Sequence, residues 1–151
     1  MAKATVSRRY LVGTDGSPPS DKAVEHAIMR AREAGVDLIV MMAIEVTNVE
    51  QVHAKPGGDL QMYREIEQNA KEVLNKAVDL ATKGGVHATS ALVSTLPSRD
   101  VAAAIVLYAE EKGVKHVFVG SHGRTGIMRQ MLGSVAERVV KLAHCPVTVV
   151  R

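Results

Sequence analysis

The chain has 151 residues, 46% hydrophobic and 23% charged, with one cysteine, no tryptophan and a formal net charge of +3. This is the balance of a single globular domain spanning 1–151, with enough mass for a proper core. It excludes an intramolecular disulfide, points to a reducing compartment, and offers neither a Lys/Arg block of five nor the aromatic platforms that nucleic-acid binding uses.

No apolar run reaches the roughly 20 residues needed to cross a bilayer. The N-terminus has charges but no apolar signal core, so a cytoplasmic protein with no membrane partner is expected. Residues 1–7 read as a loose tail. Residues 9–12 form a short apolar run ended by Gly13, a first strand, and Thr14-Asp15-Gly16-Ser17 is a turn. Ser17 can cap a helix whose first position is Pro18, where a missing N–H is harmless. Ala23, Val24, Ala27, Ile28 and Ala31 then follow at helical spacing as far as Gly35.

Residues 37–46 contain Leu38-Ile39-Val40-Met41-Met42-Ala43-Ile44, continuously apolar rather than alternating, as in a parallel strand covered on both faces. The methionines read as core filling. Residues 47–59 are polar, with Pro56-Gly57-Gly58, and read as a flexible connection and a candidate lid. Residues 60–83 predict a long helix with one stripe, Tyr63, Ile66, Ala70, Val73, Leu74, Ala77 and Leu80, stopped by Gly84-Gly85. A third strand is expected over 86–94. Pro97 breaks the pattern, Ser98 can cap, and Val101, Ala104, Ile105 and Tyr108 give the next helix its face, closed by Gly113. A fourth strand (116–119), a helix (135–143) and a fifth strand (147–150) complete the chain. Cys145, before Pro146, reads as a small apolar residue rather than a catalytic thiol. Five alternations of strand and helix predict an α/β fold, a doubly wound parallel sheet with right-handed crossovers and helices on both faces.

Between the fourth strand and the last helix lies Gly120-Ser121-His122-Gly123-Arg124-Thr125-Gly126-Ile127-Met128-Arg129-Gln130-Met131-Leu132-Gly133-Ser134. A helix N-terminus offers unpaired N–H groups and a positive dipole end, and glycines let backbone curl around an anion. The stretch therefore reads as a phosphate-binding loop, with a plain strand-to-helix turn as the alternative. Neither G-x-x-x-x-G-K-[ST] nor G-x-G-x-x-G occurs, so the usual nucleotide fingerprints are absent. Gly120-x-x-Gly123, nine residues, then Gly133-Ser134 is similar to the ATP-binding motif of universal stress proteins, G-x2-G-x9-G-[ST]. The flanks, the ending Cys145-Pro146-Val147-Thr148-Val149-Val150 and the opening Val12-Gly13-Thr14-Asp15-Gly16-Ser17 resemble that family too, with Gly13 where the family often has proline.

The resemblance implies a Rossmann-like, adenine nucleotide alpha hydrolase-like sheet in the order 3-2-1-4-5. Strands 1 and 4 then flank the topological switch point, and the loops after them, carrying Asp15 and the glycine motif, form one crevice. The implied ligand is ATP, or ADP or AMP, with magnesium or manganese held largely by phosphates and water and only indirectly by Asp15. Gly120 and Gly123 would admit phosphate close to the backbone. Gly133, Ser134 and Val135 would present N–H groups and a hydroxyl at the helix start, where Ser134 is also a candidate cap. Asp15, with Thr14 beside it, would contact the ribose or support the metal ion, although turn chemistry alone accounts for an aspartate there. Ile44 matches the position whose backbone meets the adenine; by its own side chain it is a core residue. His122, Arg124 and Arg129 are candidate phosphate contacts, with a structural histidine and solvated arginines as the plainer readings.

The remaining histidines, His26, His53, His87, His116 and His144, lack the spacing of a transition-metal site. There is no G-x-S-x-G and no evident Ser/His/Asp arrangement, so no catalytic residue is assigned. The expected function is an ATP-binding, stress-response regulator or sensor with an unspecified protein partner. The alternatives are a slow ATP hydrolase completed by a partner, and a structural homodimer holding AMP or no nucleotide. In the implied order the fifth strand is an edge, uncharged from 146 to 150, and apolar edges are covered or paired. Antiparallel pairing of Val147–Val150 with its mate in a two-fold homodimer is expected.

Overall fold

A computed structural model of the chain describes residues 7–45, 58–95, 100–122 and 131–151. The elements are β1 (Arg9–Gly13), α1 (Pro18–Ala34), β2 (Asp37–Glu45), α2 (Gly58–Lys83), β3 (Ala88–Thr95), α3 (Val101–Glu111), β4 (His116–Gly120), α4 (Ser134–Leu142) and β5 (Val147–Val150). The five strands form one parallel sheet in the order β3-β2-β1-β4-β5. The loop after β1 and the loop after β4 therefore leave the same sheet edge from neighbouring strands, on either side of the point where the winding reverses. The expected lid at 47–59 and tail at 1–7 fall largely on residues 46–57 and 1–6, outside the described ones, as does Ser98; Ser7 is described, and its hydroxyl donates to Asp37 Oδ2 at 2.8 Å.

Alternation along the strands divides the core into two layers. Val12, Leu38, Val40, Met42, Ile44 and Phe118 pack under α1 and α2, against Ala27, Ile28, Ala70 and Leu74. Leu11, Ile39, Met41, Val117 and Val119 pack under α3 and α4, against Ile105, Val106 and Val139. Within the first layer, the Phe118 ring stacks on His116 with centroids 4.4 Å apart. Burial, together with Arg30 and His26, holds the His116 imidazole below its ordinary pKa. Cys145 is half-buried among the apolar residues of the second layer, and burial pushes its thiol up.

Helix ends follow local chemistry. Gly35 and Gly113 take the left-handed conformation, with φ of +65° and +63°, that a residue with a Cβ adopts at a cost. Two helix faces differ from the expected stripes. In α2 the buried line is Ala70, Leu74, Ala77 and Ala81, while Ile66 and Leu80 are 40% and 46% exposed. In α3 the buried residues are Ala102, Ile105, Val106 and Ala109, one position round from the expected Val101, Ala104, Ile105 and Tyr108. The segment Val101-Ala102-Ala103-Ala104-Ile105-Val106-Leu107 is apolar all round, so its pattern carries no phase; a cap marks where the helix starts.

That cap is Asp100. Its Oδ1 accepts from the Ala103 N–H at 2.6 Å, and its Oδ2 meets Arg138 Nε of α4 at 2.6 Å. An N-cap carboxylate contributes about 1 kcal/mol, and a half-exposed ion pair at most about 1 kcal/mol more. Asp100→Ala is expected to lower stability in urea titrations by about 1–2 kcal/mol. Asp100→Asn, which keeps a competent cap, should lose less than half of that. Equal losses from the two variants would show that the ion pair carries the effect.

Candidate functional site

At the carboxyl edge of the sheet, the ends of β2, β1 and β4 open into a cavity of about 270 Å³. Its walls are Gly13, Thr14, Asp15 and Ser20 from β1 and the start of α1, Met41 and Ala43 from β2, and Val101 and Ile105 from α3. Val119, Gly120, Ser121 and His122 come from β4 and beyond it, and Gly133, Ser134, Val135 and Ala136 from the start of α4.

The β1 turn is held by hydroxyls. Thr14 N–H reaches Met41 O at 2.9 Å, extending the β1–β2 ladder by one residue. Thr14 Oγ1 and Ser20 Oγ lie 3.0 Å apart, Thr14 Oγ1 accepts from Gly16 N–H at 3.1 Å, and Ser20 Oγ donates to Ser17 O at 2.9 Å. Ser17 occupies the cap position of α1, but its side chain makes no cap bond; its hydroxyl and its N–H both donate to Asp15 Oδ1. The carboxylate is thus fixed at the cavity wall. Pro18 and Pro19 remove two donors from the first turn of α1.

The β4 side is built differently. Gly120 is a glycine because β4 runs against the first turn of α1: a Cβ there would lie 3.1 Å from Pro19 C and O. The absent side chain thus has a packing reason, and Gly120 also borders the cavity. At Gly133 a Cβ would stand 3.0 Å from Ser121 O, which accepts from Gly133 N–H at 2.7 Å. Gly133 is the N-cap of α4, not Ser134, which stands at the first helical position. Residues 133–136 all line the cavity, so the first turn of α4, free of proline, aims its N–H groups and dipole at it. Ser121 Oγ and His122 Nδ1 lie 2.8 Å apart.

Of the residues singled out from sequence, the cavity gathers Thr14, Asp15, Gly120, His122, Gly133, Ser134 and Val135. Ile44 is not among its walls. The Ile44 side chain points to the opposite face, into the layer under α1 and α2, and the adjacent Ala43 faces the cavity. Gly123, Arg124 and Arg129 lie outside the described residues. Sequence reading missed Ser20, Ser121, Met41, Ala43, Val101 and Ile105 as wall residues. Along an unbroken apolar strand nothing marks which parity faces a ligand, whereas Ser20 had a detectable signal, a small polar residue in the first turn beside the aspartate. Among the described residues no three His, Cys, Asp or Glu side chains gather as a metal site.

The site lies where loops after β1 and β4 meet a helix N-terminus, and a profile of the universal stress protein family matches residues 7–151. The chain is a member of the universal stress protein family. A universal stress protein of Methanocaldococcus jannaschii is 33% identical over 95% of this chain and 82% of its own length. The universal stress protein YxiE of Bacillus subtilis is 30% identical over 95% of this chain and 98% of its own. Among solved structures, a universal stress protein from Burkholderia pseudomallei superposes with a TM-score of 0.75 at 25% identity, over 98% of both chains. One solved in complex with cAMP gives 0.68 at 25% identity, over 96% of this chain and 97% of that one. Another, from Archaeoglobus fulgidus in complex with dAMP, gives 0.71 at 22% identity, over 97% and 100%. No helix among the described residues of this universal stress protein is long and apolar enough to cross a membrane.

Proposed function

We propose that this cavity binds an adenine nucleotide, and that the protein is a cytoplasmic, nucleotide-dependent regulator or sensor rather than a fast enzyme. The observation that carries the reading is the order of chemistries across the sheet. Apolar Met41 and Ala43 stand on the β2 side, the fixed carboxylate of Asp15 in the middle, and the α4 N-terminus on the β4 side. An apolar slot, an acceptor for hydroxyl donors and a cluster of oriented N–H groups match base, ribose and phosphate in sequence. The two nucleotide-bound relatives, solved with cAMP and dAMP, support an adenine base.

In this reading the base lies on Met41 and Ala43, with only the backbone of Ile44 in reach. Asp15 accepts from ribose hydroxyls, and the phosphates lie over Gly133, Ser134 and Val135, flanked by Gly120 and His122, with Gly123 and Arg124 as further candidates. Among the described wall residues Asp15 is the one carboxylate, so magnesium or manganese would come with the phosphates and their water, neutralising charge beside it. Thr14 keeps the turn in shape through Ser20. The whole chain, 1–151, acts as one domain.

The test is to denature freshly purified protein, identify any released nucleotide by chromatography, and titrate stripped protein with ATP, ADP and AMP in the presence of magnesium. Released adenine nucleotide, or saturable binding, is expected. No nucleotide and no binding at millimolar ATP would overturn the reading. Edge strand β5 is half-buried along its length, and its pairing with a second copy is part of the same proposal. Light scattering at micromolar concentration should give the mass of two chains, and the mass of one would remove the dimer.

A further inference from the structure

Ser121, the residue after β4, is clamped through its backbone on both sides. Its N–H donates to Val150 O at 2.8 Å, and its carbonyl accepts from Gly133 N–H at 2.7 Å. The residue is buried. A side chain on a backbone pinned in this way is a rigid anchor. What it anchors is an imidazole, since Ser121 Oγ lies 2.8 Å from Nδ1 of His122.

His122 is a cavity wall, and it stands at the phosphate end of the proposed site. A Cβ built on Gly133, the N-cap of α4, would lie 3.5 Å from the His122 Cα. The apolar walls Met41 and Ala43 belong to β2, two strands away from β4. The two ring nitrogens of a histidine are not equivalent, and the hydrogen bond made at one decides the state of the other. A hydroxyl that donates to Nδ1 keeps the proton on Nε2, so the ring meets an anionic oxygen as an N–H donor. The other tautomer, with its proton on Nδ1, would present a lone pair at Nε2, which a phosphate oxygen repels.

We propose that Ser121 is a positioning residue of the nucleotide site: its hydroxyl donates to Nδ1 of His122 and so holds the imidazole as an Nε2–H donor to the phosphates. The proposal rests on the nucleotide reading above. Ser121 acts through His122 and makes no contact with the ligand in this scheme.

The experiment has two arms. The first records long-range proton–nitrogen NMR spectra of the imidazoles in the ligand-free protein, on the alkaline side of neutrality, with His122→Ala to identify the His122 signals. Wild type should show His122 as the Nε2–H tautomer, and Ser121→Ala should raise the share of Nδ1–H. An Nδ1–H tautomer in wild type, or an unchanged spectrum in Ser121→Ala, overturns the proposal whether or not a nucleotide binds. The second arm is calorimetric titration with ATP of wild type, Ser121→Ala, His122→Ala and the double variant. Ser121→Ala should bind about three- to tenfold more weakly, and His122→Ala about tenfold or more. The double variant should match His122→Ala within about twofold, because a residue that acts through His122 has nothing to hold once the ring is gone. Multiplied losses in the double variant overturn the proposal, as does undiminished ATP affinity in Ser121→Ala, and both leave the nucleotide site standing. A wild type that binds no adenine nucleotide fails at the site itself, and the Ser121 proposal falls with it.

Discussion

Gly133→Val is expected to weaken ATP binding by at least about a hundredfold, a change of roughly 2.7 kcal/mol, while the circular dichroism of the folded sheet is retained. A Cβ at this position meets Ser121 O at 3.0 Å, and that oxygen is backbone, already engaged by the Gly133 N–H. A branched side chain adds two further carbons in the same space, so the start of α4 must move away from the end of β4. The N–H groups of residues 134–136 then lose their aim, and oriented donors misplaced by an ångström lose much of their value to an anion. Gly133→Ala, with the Cβ alone, should lose about tenfold. Binding within twofold of wild type in Gly133→Val would show that the α4 N-terminus does not hold the phosphates.

The largest effect on stability is expected from Phe118→Ala, about 3–5 kcal/mol. Phe118 is fully buried at the middle of β4, between Val12 and Thr148 in register. Its ring lies flat on His116 and tilts against Tyr10 and His26, with centroids 5.7 and 6.0 Å away. Truncation leaves a cavity between the sheet and α1, walled by Tyr10, His116 and His26. A whole domain is stable by about 5–15 kcal/mol, so this one change removes a large share. The thermal midpoint should fall by about 6–20 °C. Phe118→Leu, which keeps most of the volume, should cost about 1.5 kcal/mol. A drop below about 1 kcal/mol for Phe118→Ala would mean that the layer repacks freely. The chain has no tryptophan and this one phenylalanine, so unfolding is best followed by circular dichroism.

What could be read from the sequence, and what could not, follows from how each signal arises. β2 was legible because a buried parallel strand is an unbroken apolar run, and the helix ends because Gly35, Gly85 and Gly113 stop them with positive φ. Sheet order came from family resemblance, since propensity and spacing say nothing about which strands pair. The glycine motif located the loop but not the reasons for its glycines. Gly120 answers to Pro19 and Ser20, which are a hundred residues earlier in the chain, a contact that no local pattern encodes. Ile44 is a core residue, as its own side chain suggested, and the neighbouring Ala43 supplies the wall; a strand apolar on both faces does not show which parity faces a cavity. The face of α3 shifted for the same reason, and packing in the layer shared with α4 buries Ala102, Ile105, Val106 and Ala109.

The hydrogen bond from Gly133 to Ser121 O, with Ser121 N–H itself held by Val150 O at 2.8 Å, closes the glycine loop at its neck. A loop closed at its base enters the folding balance through ring-closure entropy, which grows only with the logarithm of length. Doubling the eleven residues from 122 to 132 would cost about 0.6 kcal/mol. The neck thus separates the fold from whatever is written between its ends. Selection, or a protein engineer splicing in a reporter, is free to lengthen that segment without loosening the sheet beneath it.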